Sequence, residues 1–138
     1  RLARAMAEDG EGATKRIEIR ITGARTRGEA RRIAYAVARS NLVKTAFYGG
    51  DPNWGRIIAA AGSVGIPLPA DRVELFFEEV RLFASGRGEA PDPGRLAAIM
   101  QQPVIHLRLE IAMGNAAFVV QTSDLTHDYV TLNAHYHT

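Results

Sequence analysis

The chain has 138 residues, 46% apolar and 23% charged, with 17 Lys and Arg against 15 Asp and Glu and no Cys. That is the size and balance of one globular domain. It excludes disulfides and thiolate metal sites, and no apolar run reaches the ~18 residues of a membrane span. The net charge of +2 is dispersed. Its densest cluster, Arg25, Arg27, Arg31 and Arg32, has Glu29 inside it, the pattern of a solvated helix face and not of a nucleic-acid footprint. No signal-peptide pattern opens the sequence, so the cytoplasm is the expected compartment.

In chain order, Arg1 to Ala7 reads as the end of a helix and Asp9-Gly10-Glu11-Gly12 as a turn. From Thr14 to Thr22 the pattern alternates, with Ile17, Ile19 and Ile21 on one face and Arg16, Glu18 and Arg20 on the other, which predicts a half-buried strand. Gly23 breaks it. Thr26 then caps a helix, with Glu29 three residues on completing a capping box. Ala30, Ile33, Ala34, Val37 and Ala38 recur at helical spacing up to Arg39, and Ser40-Asn41 ends that helix. A second helix is expected from about Trp54 to Ala61, followed by a loop over 63–69.

Arg72 to Ala84 is strand material bent at Glu78-Glu79, and Ser85 to Pro93 is a Gly/Pro loop. A short helix over Gly94 to Gln102 stops at Pro103. Val104 to Ile111 alternates again, and Met113-Gly114-Asn115 leads into Ala116 to Thr122, which predicts a hairpin. Ser123-Asp124 is placed to cap a last helix carrying Leu125, Tyr129 and Leu132. The order strand, helix, helix, strands, helix, hairpin, helix predicts an α+β domain with a mostly antiparallel sheet covered by helices.

Few residues carry an obvious chemistry. The four His (His106, His127, His135 and His137) lack the spacing of a metal site, and His106 falls on the solvent side of its strand. Gly86-Arg87-Gly88 runs into Glu89-Ala90-Pro91, which forbids a dinucleotide-type helix start. Glu11, flanked by Gly10 and Gly12, is an accessible carboxylate suited to an amine or ammonium group; the competing reading is a solvated acidic turn. The stretch from Asp124 to Thr138 stays rich in apolar and aromatic residues, so a docked end is expected. Asn133 and Thr138 there either face a small ligand or cap the last helix. Asp51-Pro52-Asn53-Trp54-Gly55-Arg56 makes a sharp turn that holds the single Trp and an Arg. Its plainest reading is a loop capping the next helix, with Trp54 as a core plug.

Together these stretches resemble the ornithine acetyltransferase family, the bifunctional glutamate N-acetyltransferases of arginine biosynthesis. The motifs are Asp9-Gly10-Glu11-Gly12-Ala13-Thr14-Lys15, Leu42-Val43-Lys44-Thr45-Ala46 through Asp51 to Arg56, and Ser123-Asp124-Leu125-Thr126 with Tyr129-Val130, Asn133-Ala134, Tyr136 and Thr138. The resemblance implies a DmpA/ornithine-acetyltransferase-like fold and a precursor that cuts itself before a Thr. That Thr becomes the N-terminal nucleophile of the β chain, activated by its own amine. It takes acetyl from N2-acetylornithine as an ester, releases ornithine, and passes the acetyl to glutamate in ping-pong fashion. Oxyanion donors come from the α chain.

By motif position, Glu11, Asn133 and Thr138 correspond to substrate-binding residues. The nucleophilic Thr lies upstream of this sequence, so the resemblance places no catalytic residue here and implies the C-terminal part of a β chain, inactive alone. Residues 1–12 then end the upstream catalytic region and 13–138 form the C-terminal α+β domain. The implied partners are the α chain and the rest of the β chain in an α2β2 assembly. No metal, nucleic acid or membrane is expected, and no cofactor; acetyl-CoA enters only as a substrate of bifunctional members. Positions 135 and 137 are His where the family more often has an acidic residue and an Arg. That keeps open a secondary-metabolism paralogue with another acyl acceptor, beside a purely structural and assembly role.

Overall fold

The computed structural model describes residues 15–124. Six strands form one sheet: β1 (Arg16–Ala24), β2 (Glu74–Phe77), β3 (Val80–Ala84), β4 (Arg87–Gly88), β5 (Val104–Glu110) and β6 (Ala116–Ser123). Four helices accompany it: α1 (Arg27–Arg39), α2 (Asn41–Tyr48), α3 (Trp54–Gly62) and α4 (Pro93–Met100). The strand order is β4-β3-β2-β5-β1-β6. β1 and β5 run parallel, and the other pairings are antiparallel. The α+β class with a mostly antiparallel sheet is therefore the observed one.

The alternating strands behave as their spacing predicts. Ile17, Ile19 and Ile21 of β1 and Ile105, Leu107 and Leu109 of β5 are buried, and they share one core with Ile33 and Val37 of α1, Phe47 of α2 and Ile57 of α3. Their neighbours Glu18, Arg20, His106 and Arg108 remain exposed or half-exposed on the opposite face. Burying the six aliphatic chains contributes roughly 1.5–3 kcal/mol each before entropy is counted. At the β2–β3 turn Glu78 takes a positive φ of 54°, as the expected bend requires.

Helix boundaries follow local capping. Thr26 accepts from the Glu29 N–H at 3.1 Å to start α1, and Asp92 accepts from the Arg95 N–H at 3.0 Å to start α4 at Pro93. Pro at the first helical position has no N–H to leave unpaired.

Three expectations change. Ser40 ends α1 and also begins a further helix, α2, because its hydroxyl accepts from the Val43 N–H at 3.2 Å. The chain turns sharply at Ser40 and resumes helix at once. The Gly/Pro loop after Ala84 contains the short strand β4, paired with β3.

The predicted hairpin of residues 104–122 does not form. β5 and β6 lie on opposite sides of β1, and the 111–115 connection crosses the end of β1. There the Met113 and Gly114 N–H groups both donate to the Gly23 carbonyl, at 2.6 and 2.7 Å. Alternation assigns a strand its faces but not its neighbour. Here the neighbour is β1, whose isoleucines give both β5 and β6 a wholly apolar inner face to join. The helix expected after Asp124 lies outside the described residues.

Candidate functional site

Glu11, Asn133 and Thr138 all lie outside the described residues. The structure does describe the two points from which their segments extend. Lys15 stands four residues after Glu11, and Asp124 nine residues before Asn133. These points are adjacent: the Asp124 N–H donates to the Lys15 carbonyl at 3.0 Å, next to the Arg16–Ser123 pairing of β1 with β6.

Asp124 is buried to 2% exposure, and its Oδ1 has no hydrogen-bond partner among the described residues. Burial pushes its carboxyl above the usual range, while the Lys15 N–H, the Lys15 ammonium and its own N–H oppose that rise. The folded state therefore favours the protonated acid, and the stability linked to this group fades as pH rises through its folded value. Asp124→Asn, which carries no charge to desolvate, should gain stability relative to the unchanged protein as pH rises from 4 to 7. Thermal unfolding across that range measures it, and a gap that narrows toward pH 7 contradicts the assignment.

The same corner is roofed by α2. The Lys15 ammonium donates to the Phe47 carbonyl at 2.7 Å, in the last turn of that helix. On the inner face of α2, Val43, Lys44, Ala46 and Phe47 are all buried. Lys44 is 1% exposed and is among the largest fully buried side chains. Burial draws its amine down to about 8, and the nearby charge of Arg39 acts in the same direction. The sequence did signal this position: residue 44 belongs to the inward stripe formed by Val43 and Phe47. Lys is ordinarily a surface residue, so its place in this stripe is not legible from residue type alone.

Asp51 to Arg56 works as a structural joint. The Asp51 N–H donates to the Ala46 carbonyl at 2.8 Å, closing the end of α2. Asn53 donates through its side-chain amide to Asp51 at 3.2 Å and accepts from the Arg56 N–H at 3.1 Å to cap α3. Arg56 reaches back to the Leu42 carbonyl at 2.9 Å. Trp54 is not a core plug, being 36% exposed. Its indole packs on the Phe83 ring at 5.1 Å, against Gly88, where a Cβ would stand 2.5 Å from the ring. The motif thus ties α2, α3 and the β3–β4 hairpin together.

An open groove of about 590 Å³ runs between α1 and α3, with Leu42, Arg39 and Arg56 in its walls. Among the described residues no cluster of His, Asp and Glu is able to hold a metal ion, and no helix is long and apolar enough to cross a membrane. His106, on the solvent side as expected, pairs with Glu78 at 2.9 Å.

Comparison with known proteins supplies the lineage. The model of the ArgJ family matches residues 1–138. The chain is 45% identical over 142 residues to the arginine biosynthesis bifunctional protein ArgJ of Geobacter sulfurreducens, covering 99% of this chain and 35% of the relative. It is 47% identical over 142 residues to the glutamate N-acetyltransferase of Methanosarcina mazei, covering 99% and 36%. The crystal structure of the arginine biosynthesis bifunctional protein argJ from Bacillus halodurans superposes with a TM-score of 0.79 at 35% identity, over 98% of this chain and 64% of that one. The chain thus spans about a third of the length of the Geobacter and Methanosarcina relatives. With all 138 residues matched and the fold shared, it belongs to the ArgJ family.

Proposed function

We propose that this chain is the C-terminal part of the β chain of an ornithine acetyltransferase. The assembled enzyme moves acetyl from N2-acetylornithine to glutamate in arginine biosynthesis, in the cytoplasm, as an α2β2 assembly. The nucleophile is an N-terminal Thr upstream of this sequence; it holds the acetyl as an ester between the two half-reactions. Residues 1–12 end the catalytic region and 13–138 form the C-terminal α+β domain. Glu11 receives a substrate ammonium group, and Asn133 and Thr138 hydrogen-bond its amino-acid portion.

One structural observation carries the reading. The Asp124 N–H donates to the Lys15 carbonyl, so the first and last described residues, which lead in sequence toward Glu11 and toward Asn133 and Thr138, meet; this supports the reading. The names of the relatives, glutamate N-acetyltransferase among them, support the same activity.

The test uses the complete precursor, matured and assayed for acetyl transfer. Glu11→Ala removes a charge-assisted contact worth about 1.5–3 kcal/mol. The kcat/KM for N2-acetylornithine should therefore fall about ten- to hundredfold, with self-cleavage intact. Unchanged kinetics would remove Glu11 from the site and leave this segment an assembly role only.

A further inference from the structure

The exposed face of α1 gathers positive charge where a merely solvated helix would spread it. Arg31, Tyr35 and Arg39 follow one another at intervals of four residues and so form one ridge of the helix. Tyr35 is 5% exposed, and both guanidiniums lie 4.9 Å from the centre of its ring. Two groups each 4.9 Å from one point are no more than about 10 Å apart, the Debye length at ~0.1 M salt, so their repulsion is only partly screened. Arg32 joins them from the neighbouring ridge. Its guanidinium donates to the Val64 carbonyl at 2.8 Å, which ties it to the chain just after α3. These side chains and Ala36 line an open cavity of about 370 Å³, a size that holds a small molecule.

No carboxylate offsets the charge. The cavity has no Asp or Glu in its walls, and among the described residues Arg31, Arg32 and Arg39 make no ion pair. Glu29 is the one acid of α1. Arg25 holds both of its oxygens, at 3.0 and 2.8 Å, and of the three cavity arginines it acts on Arg32 alone. The ring beneath carries a further unmet group: the Tyr35 hydroxyl is buried and has no hydrogen-bond partner among the described residues. A guanidinium stacked on a ring keeps its N–H groups at its edge, so the ring positions the donors without consuming them. Three guanidiniums around one cavity match a ligand with several negative oxygens, whereas a single carboxylate would leave most of the charge unmatched.

We propose that this cavity binds a small polyvalent oxyanion, a phosphate ester or a polycarboxylate, through Arg31, Arg32 and Arg39. Such binding does not depend on the acetyltransferase reading, and it is measured without any assay of acetyl transfer.

The test is calorimetric titration of the complete, matured enzyme with pyrophosphate and with citrate at constant ionic strength. One anion should bind per copy of this chain, and the ratio of the two affinities separates a phosphate from a polycarboxylate ligand. Arg31→Gln combined with Arg39→Gln should weaken binding at least about tenfold, through loss of charge-assisted hydrogen bonds. Arg72→Gln combined with Arg87→Gln removes the same charge at exposed positions outside the cavity and should change the affinity less than about twofold. If the first pair does not fold, Arg31→Lys with Arg39→Lys, which keeps the charge and loses the planar fork, is read instead, with a loss of at least about threefold expected. An unchanged enzyme that binds neither anion overturns the proposal. So does binding that the Arg31 and Arg39 substitutions leave intact, or that both pairs of substitutions weaken equally, which is the mark of net charge alone.

Discussion

Phe77→Ala is expected to destabilise the protein by about 3–5 kcal/mol, the range for emptying a large aromatic site in a core. Phe77 is fully buried near the centre of the sheet, on β2, opposite Leu107 of β5. Its ring lies 5.5 Å from that of Phe47, so it supports the helix that carries Lys44. Phe47, Leu75 and Leu82 are also buried in that core, and helix and sheet are joined too broadly for the space to close by a small shift. Chemical or thermal unfolding measures the loss. A cost below about 1 kcal/mol would mean that α2 settles into the gap.

The second large effect concerns the crossing of β5 into β6. Gly23 has a φ of 76°, its carbonyl accepts the Met113 and Gly114 N–H groups, and a Cβ there would run into the Glu110 carboxylate and stand 2.9 Å from the Ala112 nitrogen. Glu110 has little freedom to retreat, since it accepts from the Thr22 hydroxyl at 2.7 Å and the Ala112 N–H at 2.9 Å. Gly86 shares the left-handed backbone, with a φ of 77°, but has open space around it. Gly23→Ala should therefore cost about 2–4 kcal/mol, from backbone strain plus overpacking. Gly86→Ala should cost about 1–2 kcal/mol, from strain alone. Equal costs at the two positions would show that the crossing loop simply moves aside. A larger loss at Gly23 would show that this loop is what locks β6 beside β1.

The same region shows where local reading stops. Residues 104–111 and 116–122 have the alternation and the short connection of a hairpin, and both segments are indeed strands. They are separated by β1, because pairing with the Ile17, Ile19 and Ile21 strand buries more apolar surface than pairing with each other. That comparison depends on residues almost ninety positions away, and no short window contains it. α2 was legible in part: Ser40 followed by Val43, Ala46 and Phe47 is a cap and an apolar stripe. A helix directly abutting another reads as one helix that has ended. Lys44 was visible as a residue and invisible as a buried charge, since part of the covering of α2 comes from far along the chain, with Phe47 meeting Phe77 of β2.

By itself, the sequence determined what acts over a few residues. Period-two isoleucine and leucine runs chose the strand faces, and Thr26, Asn53 and Asp92 chose the helix starts. The three spaced motifs pointed to the ArgJ family, and Glu11, Asn133 and Thr138 were marked from them. Tertiary structure decided what acts across the chain: the strand order, the parallel pairing of β1 with β5, the junction of Lys15 with Asp124, and the burial of the Lys44 amine. The division has a physical cause. Caps and alternation are satisfied within a turn or a strand, whereas partner choice and desolvation are settled only when distant segments compete for the same apolar surface.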